Sequence, residues 1–83
     1  MKLSILYFAM TRDLVGLDSE VVEVDDSIRT IGEISSWLER HHNALAGRMK
    51  GIRLARNEAF ASHDELLTEG DTIALIPPVS GGE

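Results

Sequence analysis

The sequence predicts an α+β fold in which one main helix covers one face of a mixed β-sheet. Three features point to it: apolar strand patterns at both ends of the chain, an amphipathic helical pattern between them, and a proline pair after the last strand. The 83 residues, 43% hydrophobic and 27% charged, are enough for one hydrophobic core and too few for two. We therefore expect a single domain over residues 1–83.

The first third of the chain predicts two strands joined by a short helical turn. Alternating apolar side chains indicate a first strand over residues 2–10. One face carries Leu3, Ile5 and Tyr7, and the other carries Leu6 and Phe8. Thr11 and Gly16 suit the start and end of one helical turn, and β-branched residues indicate a second strand over residues 20–24. The two strands are expected to pair as a hairpin.

A capping box predicts where the main helix begins. Thr30 and Glu33 have the spacing at which each side chain bonds the backbone N–H of the other residue. The apolar residues of one helical face, which should cover the sheet, are Ile31, Ile34, Trp37 and Leu38. The pattern ends at residues 41–43, and residues 44–50 form a looser stretch with room for another helical turn.

A third strand is predicted around Ile52 and Leu54, which alternate with polar and small residues. The polar pair at residues 57–58 suits a turn that ends this strand. The leucine pair at residues 66–67 is expected to fill the core from a loop.

The last strand is predicted over the strongly apolar residues 72–76, after a tight turn at residues 69–71. Pro77 and Pro78 donate no ladder hydrogen bonds, so the sheet should stop there and leave residues 79–83 as a flexible tail. If the first and last strands are neighbours, the helix crosses one face of a mixed sheet, which is the β-grasp arrangement.

Composition disfavours several classes of function. The chain has no cysteine, which excludes a disulfide framework, a thiol nucleophile and a thiolate metal site. Its net charge of −6 disfavours nucleic acid as a partner and suits a basic protein surface. The apolar N-terminal stretch is too short to cross a bilayer and lacks an obvious cleavage site, so we expect a cytoplasmic location and no membrane partner.

The three histidines are interpreted as solvated side chains. His41 and His42 are adjacent at a helix end and are expected not to converge on a metal ion, and no acidic or cysteine spacing completes a set. His63 precedes two acidic residues in a segment typical of a surface loop. With no catalytic triad, phosphate loop or zinc pattern, the chain is expected to bind no metal or cofactor and to catalyse nothing alone.

The C-terminal segment, residues 69–82, resembles the ending of molybdopterin synthase small subunits: a turn, an apolar strand, Pro77-Pro78, a short spacer and Gly81-Gly82. Residues 6–9 and 12–16 are similar to the opening of the same family, and Asn57 matches its turn. The resemblance covers nearly the whole chain and is weakest over residues 41–50. It implies a ubiquitin-like β-grasp sulfur carrier.

The resemblance implies a specific chemistry at Gly82. An activating enzyme uses ATP to adenylate the glycine carboxylate, and a persulfide donor supplies the sulfur that converts it to a thiocarboxylate. The carrier then inserts its tail into the large subunit of the synthase, where two carriers in succession supply the dithiolene sulfurs of molybdopterin. Because Gly81 and Gly82 have no side chains, this end of the chain suits a narrow channel.

The same resemblance implies a binding surface for the large subunit. Phe8, Phe60 and Ile76 match positions of apolar contact in the family, whereas the sequence alone also allows each of them to be a core residue. The segment that leads to the reactive end adds Pro77, Pro78, Val79 and Ser80.

Glu83 follows Gly82, so the written chain does not present the glycine carboxylate that the chemistry requires. We expect a protease to remove Glu83; the alternatives are that it is foreign to the natural chain or that this copy docks without being charged. Two other functions remain open. One is a related β-grasp carrier for thiamine, cysteine or tRNA thiolation, or a ubiquitin-like modifier, and the other is a binding adaptor with no reactive end.

Overall fold

The computed structural model describes residues 1–78. Within these residues, two α-helices and two 3₁₀ helices accompany a five-stranded sheet. In chain order the elements are β1 (Lys2–Tyr7), α1 (Met10–Val15), β2 (Ser19–Glu23), α2 (Ile31–His41), 3₁₀ helices at Asn43–Leu45 and Met49–Gly51, β3 (Arg53–Arg56), β4 (Ala59–Phe60) and β5 (Thr72–Ile76). The predicted flexible tail, residues 79–83, lies outside the described residues.

The sheet has the strand order β2-β1-β5-β3-β4. Its first and last strands pair in parallel, with Ser4 opposite Thr72 and Tyr7 opposite Leu75. All the other neighbouring strands are antiparallel. This mixed sheet, crossed by the helix between β2 and β3, is the predicted β-grasp arrangement, and the prediction of fold class is confirmed.

The core lies between α2 and one face of the sheet. Leu3, Ile5 and Tyr7 of β1 are at most 2% exposed, as the alternation along this strand predicts. The helix contributes Ile31, Ile34 and Leu38, each with 0% exposure. Trp37 packs partly buried at the edge of this core, so its interpretation as a packing residue is confirmed.

The predicted capping box begins α2. Thr30 Oγ1 accepts a hydrogen bond from the backbone N–H of Glu33, and Glu33 Oε1 accepts one from the backbone N–H of Thr30. These two bonds satisfy donors that the first turn of a helix otherwise leaves unpaired. The capping box therefore fixes the start of α2 at Ile31.

The structure corrects three local predictions. Thr11 does not cap α1, which begins at Met10; Thr11 is buried, and its hydroxyl bonds the backbone of Phe8 in both directions. Only one leucine of the pair at residues 66–67 fills the core: Leu67 is buried, whereas Leu66 is 66% exposed. The first strand ends at Tyr7, three residues before its predicted end at residue 10.

Within the described residues, no helix has both the length and the apolar composition needed to cross a bilayer.

Candidate functional site: an apolar face of the sheet

The face of the sheet that α2 leaves uncovered carries a shallow apolar groove of about 620 Å³. Its floor is made of Leu6 on β1 and two small side chains, Ala74 on β5 and Ala55 on β3; Ala74 lies opposite both of the others. Its rim is aromatic, since Phe8 and Phe60 are 46% and 53% exposed. The complete lining is Leu6, Phe8, Ala55, Asn57, Glu58, Phe60, Thr72, Ala74 and Ile76. A surface of this kind suits a protein partner with protruding apolar side chains.

Phe60 is held at the rim by a tight hairpin. β3 and β4 are joined by Asn57 and Glu58, which have φ angles of 50° and 75°. Positive φ at both central residues is typical of the type I′ turn, whose twist matches that of paired strands. The guanidinium of Arg53 lies 3.7 Å from the centre of the Phe60 ring and fixes it further.

A buried aspartate ties this hairpin to the start of β5. Asp71, 5% exposed, accepts hydrogen bonds from Arg56 Nε at 2.6 Å and from Asn57 Nδ2 at 2.9 Å. It also accepts the backbone N–H of Thr68 at 2.7 Å, while Asn57 Oδ1 accepts that of Thr72. Burial raises the pKa of Asp71, but these donors lower it by more, so the pKa lies below its ordinary value. The hairpin that carries Phe60 is therefore anchored by an ionised carboxylate.

Phe8 is positioned by the sharp bend that ends β1. Ala9 has φ 52°, a region that favours glycine, and directs the chain from the strand into α1. Thr11 Oγ1 accepts the N–H of Phe8 at 2.9 Å and donates to its carbonyl at 2.7 Å. Both ends of the Phe8 backbone are thus fixed while its ring stays exposed.

Three of the predicted binding residues, Phe8, Phe60 and Ile76, line this one groove. Ile76, half-buried, closes the groove at the end of β5, where Pro77 is buried and Pro78 exposed. The core interpretation is wrong for Phe8 and Phe60, which are both exposed. Val79, Ser80, Gly81, Gly82 and Glu83 lie outside the described residues. The small floor residues Ala55 and Ala74 were missed by sequence reasoning, although their alternation with Leu54 and Ile73 marks them as facing away from the core.

On the opposite face of the sheet, the prediction that the histidines do not converge is wrong. His42 Nε2 lies 2.5 Å from Glu20 Oε2, and His41 Nε2 lies 3.9 Å from Glu20 Oε1. The Tyr7 hydroxyl also donates to Glu20 Oε2, at 2.5 Å. Burial raises the pKa of Glu20, but hydrogen bonds from His42 and Tyr7 lower it by more; burial also raises the pKa of Tyr7. Glu20 lies 22 residues before His42 and shares no sequence motif with it, so its part in this cluster depends on the fold alone.

Comparison with protein families gives a match over nearly the whole chain. The model described as the ThiS family matches residues 5–82. The molybdopterin synthase sulfur carrier subunit of Chlamydomonas reinhardtii is 33% identical over 84 residues, covering 99% of this chain and 100% of that protein. The protein of the same name from Homo sapiens is 36% identical over 84 residues, covering 98% of this chain and 94% of that protein.

Solved structures give the same result for the fold. The crystal structure of SAMP1 from Haloferax volcanii superposes with a TM-score of 0.86 and 31% sequence identity, covering 99% of this chain and 100% of that one. A small archaeal modifier protein and the sulfur carrier subunits are thus both similar to this chain along its length.

Proposed function

The chain belongs to the ThiS family, and from that premise we propose that it is the sulfur carrier subunit of a molybdopterin synthase, serving molybdenum cofactor biosynthesis. The observation that carries the proposal is the similarity over the whole chain to sulfur carrier subunits of that synthase. The apolar groove supports it, because a carrier must dock on a larger partner. The strand β5 lines this groove and leads directly to Pro77, Pro78 and the glycine pair.

The reactive group in this proposal is the carboxylate of Gly82, exposed after Glu83 is removed. A carboxylate is a poor electrophile because its charge is delocalised, so it must first be activated. The carboxylate oxygen attacks the α-phosphate of ATP on the activating enzyme, pyrophosphate leaves, and an acyl-adenylate forms. The terminal sulfur of a persulfide donor then displaces AMP at the acyl carbon and forms an acyl disulfide. A second thiol cleaves the S–S bond of this intermediate, which releases the thiocarboxylate and leaves a disulfide between that thiol and the donor. Gly81 and Gly82 offer no side chain that would obstruct the channel of either partner enzyme.

Docking on the large subunit is assigned to the apolar groove and the segment after it. Phe8 and Phe60 supply two exposed aromatic rings, and aromatic side chains are enriched at the cores of protein interfaces. Ile76 lines the groove, and Pro77, Pro78, Val79 and Ser80 follow it in the sequence as the segment that leads to the reactive end. The carrier has no catalytic role of its own here, since it delivers a sulfur atom to a site formed by the partner. The cytoplasm stays the predicted location.

The test compares two forms of the chain, one ending at Gly82 and one at Glu83. Each is incubated with the activating enzyme, ATP and a sulfur donor, and its intact mass is measured. We expect only the Gly82 form to gain the mass that replaces one oxygen with sulfur, because Glu83 adds a Cβ and a second negative charge at the activation site. Thiocarboxylation of the untrimmed Glu83 form would show that Gly82 is not the reactive residue. Failure of both forms would favour the adaptor function.

A second function, as a protein modifier, is favoured by the similarity to SAMP1. A modifier and a sulfur carrier both require activation of the terminal glycine carboxylate. They differ in the group that then reacts with the activated carboxylate, which is a lysine amine for a modifier and a sulfur donor for a carrier. Isolation of the chain from its native host separates them, because a modifier is found in isopeptide linkage to lysines and a synthase subunit is found with its large partner. Carriers for thiamine, cysteine or tRNA thiolation are distinguished by the same co-purification.

A further inference from the structure

The cluster on the inner face of the sheet consists of Glu20, His41 and His42, and it has no part in the proposed carrier chemistry. Their ligand-type atoms all lie within 4.8 Å of one another. Glu20 and His42 are 18% and 19% exposed, whereas His41 is 41% exposed, so the cluster is open to solvent on one side. It joins two elements that are distant in sequence, β2 and the C-terminal end of α2.

The end of α2 explains why two adjacent histidines face one point. His41 is the last helical residue, and His42 is the C-cap in an extended conformation, with φ −124° and ψ 103°. On a continuing helix, neighbouring side chains point about 100° apart. Because His42 has an extended backbone, its side chain is not directed away from that of His41 in this manner. The centres of the two imidazole rings lie 4.6 Å apart.

The spacing of the donor atoms is close to that of a tetrahedral metal site. Ligands about 2.0–2.1 Å from a zinc ion at tetrahedral angles lie roughly 3.3 Å from one another. The two His–Glu distances, 2.5 and 3.9 Å, lie on either side of that value. The two distances end on different oxygens of Glu20, so ion binding would require the carboxylate and the exposed His41 ring to rotate.

We propose that Glu20, His41 and His42 form a binding site for a divalent transition metal ion of the Zn²⁺ class. Two imidazole nitrogens and one carboxylate oxygen are a donor set that Zn²⁺ accepts, with a fourth position left for water on the exposed side. The carboxylate also supplies a negative charge that partly balances the charge of the ion.

Tyr7 supports the site from within the core. Its hydroxyl donates to Glu20 Oε2, and its ring packs edge-on against His42 with centres 5.7 Å apart. Contacts of this kind orient metal ligands and raise affinity. Because Glu20 lies on β2 and the two histidines lie at the end of α2, a bound ion would crosslink these two elements and stabilise the folded domain.

The test is titration of the metal-free protein with Zn²⁺ and Co²⁺. Co²⁺ should give visible absorption bands that Zn²⁺ abolishes, with one ion per chain. Zn²⁺ should also change the fluorescence of Trp37, the chain's one tryptophan, because its ring stacks on His41 at 4.4 Å between centres. At free Zn²⁺ one hundred times Kd, the Tm should rise by about 10 °C or more.

Three variants decide whether the ion binds at this cluster. His41→Ala and Glu20→Gln should each weaken Co²⁺ and Zn²⁺ binding at least tenfold. His41 is exposed, so its variant should fold even if Glu20→Gln does not. His63→Ala, which removes an exposed histidine outside the cluster, should bind as the wild type does. A wild-type Kd weaker than about 1 mM, or equal losses in the His41 and His63 variants, would overturn the proposal.

Discussion

At the residue scale, the exposed ring of Phe60 is the side chain on which partner binding should depend most. We expect Phe60→Asp to weaken association with a synthase large subunit at least tenfold, because a charge would be placed in an apolar contact. The isolated variant should keep its fold, since Phe60 is 53% exposed and lies on the short edge strand β4. Calorimetric titration gives the affinity and circular dichroism the fold.

Leu66→Asp is the matched control for this experiment. Leu66 is similarly exposed, at 66%, but it pairs with Thr30 at the start of α2 and does not line the groove. Its variant should bind the large subunit as the wild type does. Equal loss of binding in both variants would mean that charge alone, and not the apolar groove, decides association.

Asp71 should make the stability of the domain depend on pH. Its pKa is below the ordinary value in the folded chain, so the folded state binds a proton less readily than the unfolded state. The stability that Asp71 contributes is therefore complete above about pH 4 and is lost as the pH falls through its folded pKa. Asp71→Asn should lower the free energy of unfolding by about 2 kcal/mol at pH 7, because hydrogen bonds to a charged acceptor are weakened.

Denaturant unfolding of wild type and Asp71→Asn at pH 7 and near pH 2 measures this effect. The difference between the two proteins should shrink as the pH falls, because the wild-type carboxyl then takes up a proton and loses its charge. A difference that stays constant with pH would assign the loss to packing and not to the charge of Asp71.

At the scale of elements, the β3–β4 turn holds a residue poorly suited to its conformation. Glu58 has φ 75°, which costs a residue with a Cβ about 1–2 kcal/mol, and the second position of a type I′ turn prefers glycine. Glu58→Gly should therefore raise the free energy of unfolding by about 0.5–1 kcal/mol, after the extra freedom of glycine in the unfolded chain is subtracted. Thermal or denaturant unfolding measures it.

Ala46→Gly is the control for the added freedom of glycine. Ala46 is exposed and has φ −60°, so glycine relieves no strain there and should leave the domain unchanged or slightly less stable. A gain in stability at both positions would contradict the strained-turn explanation.

Local sequence patterns predicted the elements in which burial in the core determines the order of apolar and polar residues. β5 has its predicted bounds at residues 72–76, and the capping box begins α2 where the sequence places it. β4 was missed because Ala59–Phe60 is too short to show alternation. Thr11 was mistaken for a helix cap because threonine is a common N-cap residue. In the structure its hydroxyl instead bonds the backbone of Phe8.

The two clusters of side chains were predictable to different degrees. Phe8, Phe60 and Ile76 were selected through family resemblance, and the fold brings them to one groove. Glu20 and the histidines could not be brought together from sequence, because their approach depends on the extended conformation of His42 and on the register of β2 against β1.

At the scale of the whole molecule, the core should be independent of the C-terminal end. Within residues 1–78, which the structure describes, the buried core cluster runs from Leu3 to Leu75, ahead of the segment 80–83 that the deletion removes. The Tm of the shortened chain should stay within about 2 °C of the full-length value, while sulfur transfer is lost. Leu75→Ala, which opens a cavity in the core, should lower the Tm by about 10 °C or more. A large decrease on deletion alone would mean that the end of the chain packs on the domain.

The parallel pairing of the first and last strands also determines how the domain responds to mechanical force. Since β1 and β5 run in the same direction, the start of β1 and the end of β5 lie at opposite ends of their shared ladder. A pull on the chain after Ile76, against an anchor at Met1, loads the bonds of this ladder together in shear instead of opening them one by one. We therefore expect the domain to resist mechanical unfolding strongly when an unfolding motor protein pulls on its C-terminal end.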